Sequence, residues 1–71
     1  MSIKEHLLLR RLLKNVESKK GDVNFDSNKL TVEYSGPNYW KSYRFHSSRE
    51  FERFLGRYAA GIAELVRQGK Y

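Results

Sequence analysis

The residues best suited to chemistry in this chain are three arginines that recur at every fourth position. Arg49, Arg53 and Arg57 fall on one face of a predicted helix, so their guanidinium groups form a row. A guanidinium group binds phosphate oxygens through paired hydrogen bonds, which suits such a row to a nucleic-acid backbone. The competing interpretation is a solvated helix face whose arginines pair with neighbouring carboxylates. Those carboxylates are Glu50, Glu52 and Glu64.

A second group combines an aromatic ring with cations in the middle of the chain. Trp40 and Arg44 fall on the same side of a predicted strand, and exposed rings beside cations are typical of sheets that stack on bases. Against this, Glu33 on the same face repels phosphate, and Trp40 could instead fold over the sheet edge. The nucleic-acid site predicted from both groups consists of Lys29, Trp40, Lys41, Arg44, Arg49, Arg53 and Arg57.

The first predicted helix carries apolar residues outside its core stripe. Ile3 and Leu7 fall beside Arg10 and Lys14, on the side opposite the main apolar face. Apolar side chains outside the core suggest contact with another chain. These four residues form a predicted partner-binding site for an acidic protein or for a second copy in a homodimer. A membrane-surface helix is the less favoured interpretation.

No arrangement of residues in the sequence is typical of a catalytic or metal site. Cysteine is absent, and His6 and His46 have no ligands at metal-binding spacing around them. Ser47 and Ser48 are better explained as helix-capping residues than as nucleophiles. We therefore expect a protein that is not an enzyme and that holds neither a metal nor another cofactor.

Length and charge narrow the class of protein. A chain of 71 residues allows one domain, 1–71, with a small core and marginal stability. Fourteen Lys and Arg against eight Asp and Glu give a net charge of +6 and a pI near 9.8, which fits DNA, RNA or an acidic protein as the partner. The lack of cysteine favours a reducing, cytoplasmic location. No apolar run approaches the roughly 20 residues of a membrane span, so we expect no membrane partner.

Helical periodicity appears at both ends of the chain. Ser2 with Glu5, and Ser47 with Glu50, predict capping boxes that begin a first and a last helix. Glycines predict where these helices end, at Gly21 and Gly69. The predicted core face of the first helix is Leu8, Leu9, Leu12, Leu13 and Val16. That of the last helix is Phe51, Phe54, Leu55, Tyr58, Ile62, Leu65 and Val66.

Between the helices the apolar residues alternate with a period of two, which predicts three strands. The first hairpin turn is predicted at Ser27-Asn28 and the second at residues 36–39, around Gly36-Pro37-Asn38. These turns place every apolar strand residue on one face of the sheet, which fixes the register. The predicted pairs are Phe25 with Leu30, Val23 with Val32, Val32 with Tyr43, and Leu30 with Phe45.

The predicted fold is α+β: a two-layer α-β-β-β-α domain whose antiparallel three-stranded meander carries both helices on one face. This order is similar to that of double-stranded RNA-binding domains, and Ser35-Gly36-Pro37 resembles a Gly-Pro in their sheets. The sheet also resembles the DNA-reading sheet of integrase arm-binding domains. The basic cluster that begins the last helix of the RNA-binding family is absent, because this chain has Ser47-Ser48-Arg49-Glu50. The chain is assigned to no family.

Two functions follow from these patterns. The leading one is a non-enzymatic nucleic-acid-binding module, used in regulation or genome maintenance. The alternative is a small protein-binding adaptor or inhibitor that docks on a larger acidic assembly, such as a polymerase, through Ile3, Leu7, Arg10 and Lys14 or through the edge of the sheet. Six of the fourteen cations lie within residues 1–20, so positive charge extends beyond the arginine row and both functions stay open.

Overall fold

A computed structural model describes residues 2–71 of the chain. Its three strands form one antiparallel sheet in the order β1-β2-β3, and a helix precedes and follows the sheet. The elements are α1 (Ile3–Ser18), β1 (Asp22–Asp26), β2 (Thr31–Gly36), β3 (Tyr39–Arg44) and α2 (Ser48–Arg67). This arrangement confirms the predicted α+β fold. Among residues 2–71, no helix is both long and apolar enough to cross a membrane.

Both helices pack on the same face of the sheet and share one core with it. α2 lies over β1, since the ring centroid of Phe25 is 6.0 Å from that of Phe51 and 5.1 Å from that of Tyr58. α1 lies over β3, where Asn15 donates a hydrogen bond of 2.9 Å to the Tyr39 hydroxyl. The buried centre consists of Leu8, Leu12, Val32, Phe45, Phe51 and Phe54. Fully burying each such side chain contributes about 1.5–3 kcal/mol, which makes this cluster the main source of stability.

Serine caps begin both helices, as the sequence predicts. The Ser2 hydroxyl accepts a hydrogen bond from the Glu5 amide, and the Ser47 hydroxyl accepts one from the Glu50 amide, each at 3.2 Å. The Glu50 carboxylate in turn accepts from the amide of His46, one residue before the cap. These bonds satisfy amides that a helix start leaves free, and they fix which residues of α2 face the core.

The prediction that Gly21 ends the first helix is wrong. α1 ends at Ser18, and Lys19 adopts the left-handed conformation with φ of 58°. The amides of Lys19 and Lys20 bond back to the carbonyls of Val16 and Asn15, which is the Schellman arrangement. Glycine is needed at position 21 for a different reason. Its φ is +106°, and a side chain there would collide with the backbone of Ser35.

The predicted register of the first hairpin is wrong by two residues. Phe25 pairs with Val32 rather than Leu30, because residues 27–30 form a four-residue turn instead of a two-residue one. The Asp26 carboxylate accepts hydrogen bonds from the amides of Asn28 and Lys29, at 2.9 and 3.1 Å, and so stabilises the longer turn. A shift of two residues leaves each side chain on its predicted face, so the core is unaffected.

The second hairpin has the predicted register. Val32 pairs with Tyr43, and the Phe45 amide donates to the Leu30 carbonyl at 2.8 Å. A two-residue turn, Pro37-Asn38, connects β2 to β3. β3 therefore forms one edge of the sheet, with its other side unpaired by any strand in residues 2–71.

The apolar stripe of α2 is narrower than the sequence predicts. Phe51, Phe54 and Leu65 are buried, but Val66 is more than half exposed. Val66 lies at the margin of the stripe on a helical wheel, which places it beyond the sheet-facing surface.

The two glycines inside α2 differ in their surroundings. A side chain at Gly61 would meet Leu13 of α1, whereas Gly56 faces open space.

This difference predicts opposite consequences for the two alanine substitutions. Gly56→Ala should raise the free energy of unfolding by about 0.5–1 kcal/mol, because alanine has the higher helix propensity and contacts nothing. Gly61→Ala gains the same propensity but places a methyl group 2.6 Å from a Leu13 methyl carbon, and overpacking of this kind costs about 1–3 kcal/mol. Urea denaturation of both variants measures the difference. Equal stabilisation by both substitutions would contradict the expected overpacking and would show that the Leu13 side chain moves aside without cost.

Candidate functional site

The arginine row lies on the outer surface of α2. Arg49, Arg53 and Arg57 are all exposed, because the Ser47 cap fixes the start of the helix and turns Phe51 and Phe54 towards the sheet. At a rise of 1.5 Å per residue, successive members of the row are about 6 Å apart along the helix axis. The row is thus a regular line of cations on a rigid element.

The arginines of the row form no ion pairs with residues 2–71. The one ion pair within that range joins Arg67 to Glu64, near the end of α2. The Glu50 carboxylate is occupied by the amide of His46. Glu50 and Glu64 therefore do not pair with the arginine row. The guanidinium donors of Arg49, Arg53 and Arg57 are free to bind another molecule.

Small residues separate the cations on the same surface of α2. Ala60 and Ala63 are exposed, and no atom lies within 4 Å of a Cβ built at Gly56. Glycine inside a helix costs stability relative to alanine, and packing does not require it at position 56. Small side chains let an incoming backbone approach the helix closely, so this surface offers both charge and access.

α1 adds cations beside this surface. The two helices run in the same direction, because Lys4 and Arg53 line one pocket at their first turns and Gly61 meets Leu13 further along. Arg10 and Lys14 are exposed on the outward side of α1. We call the outer surface of both helices the helix layer. Its exposed cations are Lys4, Arg10, Arg11, Lys14, Arg49, Arg53, Arg57 and Arg67. Its carboxylates are the exposed Glu17 and Glu52 and the half-buried Glu50 and Glu64.

The open face of the sheet has the opposite charge. The strand register places three rows of residues across it: Asp22, Ser35 and Trp40; Asn24, Glu33 and Ser42; and Asp26, Thr31 and Arg44. Three carboxylates therefore share this face with one guanidinium group. Trp40, 63% exposed, borders a shallow pocket that Asp22 and Glu33 also line. The aromatic ring is available, but its surroundings repel phosphate.

The predicted nucleic-acid site is consequently divided between several surfaces. Trp40 and Arg44 lie on the open sheet face, and the arginine row lies on the other side of the molecule. Lys29 lies in the first hairpin turn. Lys41 lies on the helix-facing side of β3, opposite Tyr34, with its ammonium group 6.0 Å from the centre of the Tyr39 ring. The fold does not bring these seven residues together.

The predicted partner-binding residues do share one surface. Ile3, Leu7, Arg10 and Lys14 follow one another along the outward side of α1, and the first two are 78% and 59% exposed. This stripe is apolar near the start of α1 and basic further along. It borders the arginine row on one flank and β3 on the other, so α1 belongs to both candidate surfaces.

Two tyrosines have altered acidity. Burial, followed by the charges of Glu5 and Glu50, raises the pKa of Tyr43 above the ordinary tyrosine value. Burial, followed by the charge of Tyr71, raises the pKa of Tyr58. Both hydroxyls therefore stay protonated at neutral pH. Among residues 2–71, no group of three or more histidine, aspartate or glutamate side chains is positioned to hold a metal ion.

Comparison with protein families, with curated proteins and with solved structures finds no match for this chain.

Two features of the surface were missed from the sequence. One is the acidity of the open sheet face, which was readable once Asp22, Asp26 and Glu33 were counted together with Arg44. The other is a groove between α1 and the sheet beside the free edge of β3, which Leu7, Arg11 and Lys41 help to line. It depends on how α1 crosses the sheet, and no local pattern encodes that position.

The tyrosine pKa values predict how stability changes at alkaline pH. An acid whose pKa is raised by folding stabilises the fold below its unfolded pKa, about 10 for tyrosine. That contribution is lost as the pH rises through the higher folded value. The double variant Tyr43→Phe/Tyr58→Phe should therefore lose less thermal stability than the wild type between pH 9 and 11, measured by circular dichroism. An equal fall in both proteins contradicts the assignment.

Proposed function

We propose that this protein is a non-enzymatic nucleic-acid-binding module that holds phosphates with its helix layer, in a role in regulation or genome maintenance. One observation carries the proposal: the charges are segregated, so that the helix layer is strongly basic while the open sheet face is acidic. The residues assigned to phosphate contact are Arg10, Lys14, Arg49, Arg53 and Arg57.

The freedom of the arginine row supports this assignment. Arg49, Arg53 and Arg57 make no ion pair with residues 2–71, so binding a phosphate does not require the loss of an internal contact. Each guanidinium group has five N–H donors in a fixed plane, and two of them match the oxygens of one phosphate. The exposed small residues at position 56, inside the row, and at positions 60 and 63, beyond it, let the backbone of a nucleic acid come close.

The acidic sheet face gives the interaction an orientation. A molecule with cations on one side and carboxylates on the other turns its basic side towards a polyanion during encounter. Trp40 lies on the acidic open sheet face, which turns away from a polyanion. The proposal therefore rests on phosphate contacts from α1 and α2 and includes no base stacking by Trp40. Contacts of this type carry little sequence information.

Fluorescence anisotropy tests the proposal directly. The purified protein is titrated into labelled single- and double-stranded DNA and RNA of about 20 nucleotides at low salt. Binding should weaken steeply as salt is added, because each neutralised phosphate releases a counterion. Three to five contacts give a log–log slope of roughly −2 to −4.5. Absence of binding to all four ligands at low salt contradicts the proposal.

A pair of matched variants tests where the phosphates bind. Arg53→Gln/Arg57→Gln removes two charges from the helix layer, and we expect it to weaken binding about tenfold and to make the salt slope shallower by roughly two. Lys29→Gln/Arg44→Gln removes one charge from the first hairpin turn and one from the open sheet face, both outside the helix layer, so affinity should fall less than about threefold.

Equal losses in these two variants would mean that net charge alone governs binding. A larger loss in the Lys29/Arg44 variant would move the site to the sheet. Circular dichroism at pH 7 checks that both proteins remain folded. All four side chains are exposed, so their replacement by glutamine should leave the melting temperature nearly unchanged.

A further inference from the structure

The outer edge of β3 is a free strand edge. β3 pairs with β2 on one side only, and within residues 2–71 no other strand pairs with it. Such an edge carries a row of unpaired N–H and C=O groups, and many proteins use one to bind an extended segment of a partner as an additional strand.

The register shows which backbone groups are free. The Phe45 amide bonds to the Leu30 carbonyl, and antiparallel pairs alternate between bonded and non-bonded positions. Tyr39, Lys41 and Tyr43 therefore turn their backbone groups towards β2. The N–H and C=O groups of the alternate residues point outward, away from β2. These residues are Trp40, Ser42 and Arg44.

A groove runs alongside this edge, between β3 and α1. It has a volume of about 270 Å³ and lies between α1 and the helix-facing side of the sheet. Its lining residues are Lys4, Leu7, Leu8 and Arg11 of α1, Tyr34 of β2, and Lys41 and Tyr43 of β3. The hydrogen bond from Asn15 to Tyr39 holds the end of α1 against the start of β3. The groove therefore has one wall from α1 and one from helix-facing side chains of β2 and β3, and it lies next to the free edge of β3.

The chemistry of the groove is basic and partly apolar. Three of its lining side chains are cations, and no carboxylate lines it. The Arg11 guanidinium lies 5.8 Å from the centre of the Tyr39 ring, and the Lys41 ammonium lies 6.0 Å from it. Cations are attracted to the face of an aromatic ring, so the Tyr39 ring helps to hold Arg11 and Lys41 beside the groove. Leu7, which is 59% exposed, offers an apolar contact at its rim.

We infer that this groove binds an extended acidic segment of another protein, which adds to the sheet as a fourth strand along β3. About six residues match the length of β3, and alternate side chains of the segment face the groove. Carboxylates at those positions pair with Lys4, Arg11 and Lys41, and the backbone bonds to Ser42. Lys4 and Arg11 also belong to the helix layer, but neither they nor Lys41 are among the residues assigned to phosphate contact.

The positive charge along the β3 edge favours an acidic segment over the β3 strand of a second copy of the chain. Pairing of β3 with β3 brings two sets of Lys41, Arg44 and Arg11 to one interface, and like charges on an edge oppose such pairing. An acidic strand neutralises the same charges. The exposed apolar side chain of Leu7, which phosphate contacts do not use, has a partner in this arrangement.

A labelled peptide provides the first test. An eight-residue peptide of alternating glutamate and valine, carrying fluorescein, is titrated into the full chain, with a peptide of alternating lysine and valine as control. We expect saturable binding of the acidic peptide only. Because Trp40 is the only tryptophan in the chain and lies on β3, its emission should shift to the blue as the strand is added. Absence of binding, or equal binding of both peptides, overturns the inference.

Backbone pairing distinguishes strand addition from a loose charge contact. Amide hydrogen exchange followed by NMR should slow at Trp40, Ser42 and Arg44 when the acidic peptide binds, since their amides become bonded. Peptides N-methylated at alternate residues should differ, because only one set of alternate amides faces β3. One methylated series should bind and the other should not. Binding without amide protection, or equal binding of both series, overturns strand addition.

Variants of the chain locate the site. Ser42→Pro removes one outward amide without touching the bonds to β2, a position where an edge strand tolerates proline. It should abolish peptide binding while circular dichroism stays unchanged. If the variant does not fold, the methylated peptides decide the question.

Charge reversal tests the side chains of the groove. Arg11→Glu/Lys41→Glu should weaken peptide binding more than about tenfold. The control Lys20→Glu/Lys70→Glu, outside the groove, should weaken it less than about threefold.

Equal effects of the two charge reversals overturn the assignment of the groove.

Light scattering at low salt tests whether a second copy of the chain occupies the β3 edge instead. The carboxylates of β1 in a second copy are also acidic, and a rise in mass with concentration that the peptide does not reverse would show that another copy fills the edge. A monomer that binds the peptide supports the inference.

Discussion

The fold depends on the burial of a single sheet face beneath two helices. Phe45 is the centre of this contact, because its ring packs against Phe51 and Phe54 while its amide closes the β2–β3 ladder at Leu30. Among residues 2–71, both helices lie on this one face and no element covers the opposite face of the sheet. The open sheet face, the β3 edge and the outer sides of both helices are therefore left to solvent, and function must arise on them.

Charge is distributed over those surfaces in a way that follows from the same packing. Each helix turns its apolar stripe inward, so its lysines and arginines face outward, whereas β1 and β2 place carboxylates on the open face. The resulting asymmetry favours two kinds of acidic partner at two separate places. Phosphates suit the free guanidinium groups of α2, and an extended acidic segment suits the groove where α1 passes the unpaired edge of β3.

The sequence was sufficient for most of the fold and for less of the candidate site. Periodicity and serine caps predicted both helices, the three strands and the core face, because these are local signals. The first turn was predicted too short, since the Asp26 carboxylate bonds two amides beyond the strand and stabilises a longer loop. Trp40 does not join the arginine row in one site, because α2 packs on the opposite face of the sheet and turns its arginines away from it. The groove beside Lys41 depends on tertiary placement of α1 alone.

Chemical-shift mapping tests the segregation of charge most directly. A ¹⁵N-labelled sample is titrated at low salt with a 12-base-pair DNA duplex and the shift of every backbone amide is followed. We expect the perturbed amides to cluster on the outer turns of α1 and α2, around Arg10, Lys14 and Arg49 to Arg57. The Trp40 indole and the amides of β1 should stay unperturbed. Perturbations confined to Trp40, Glu33 and Arg44, with α2 unchanged, would contradict it.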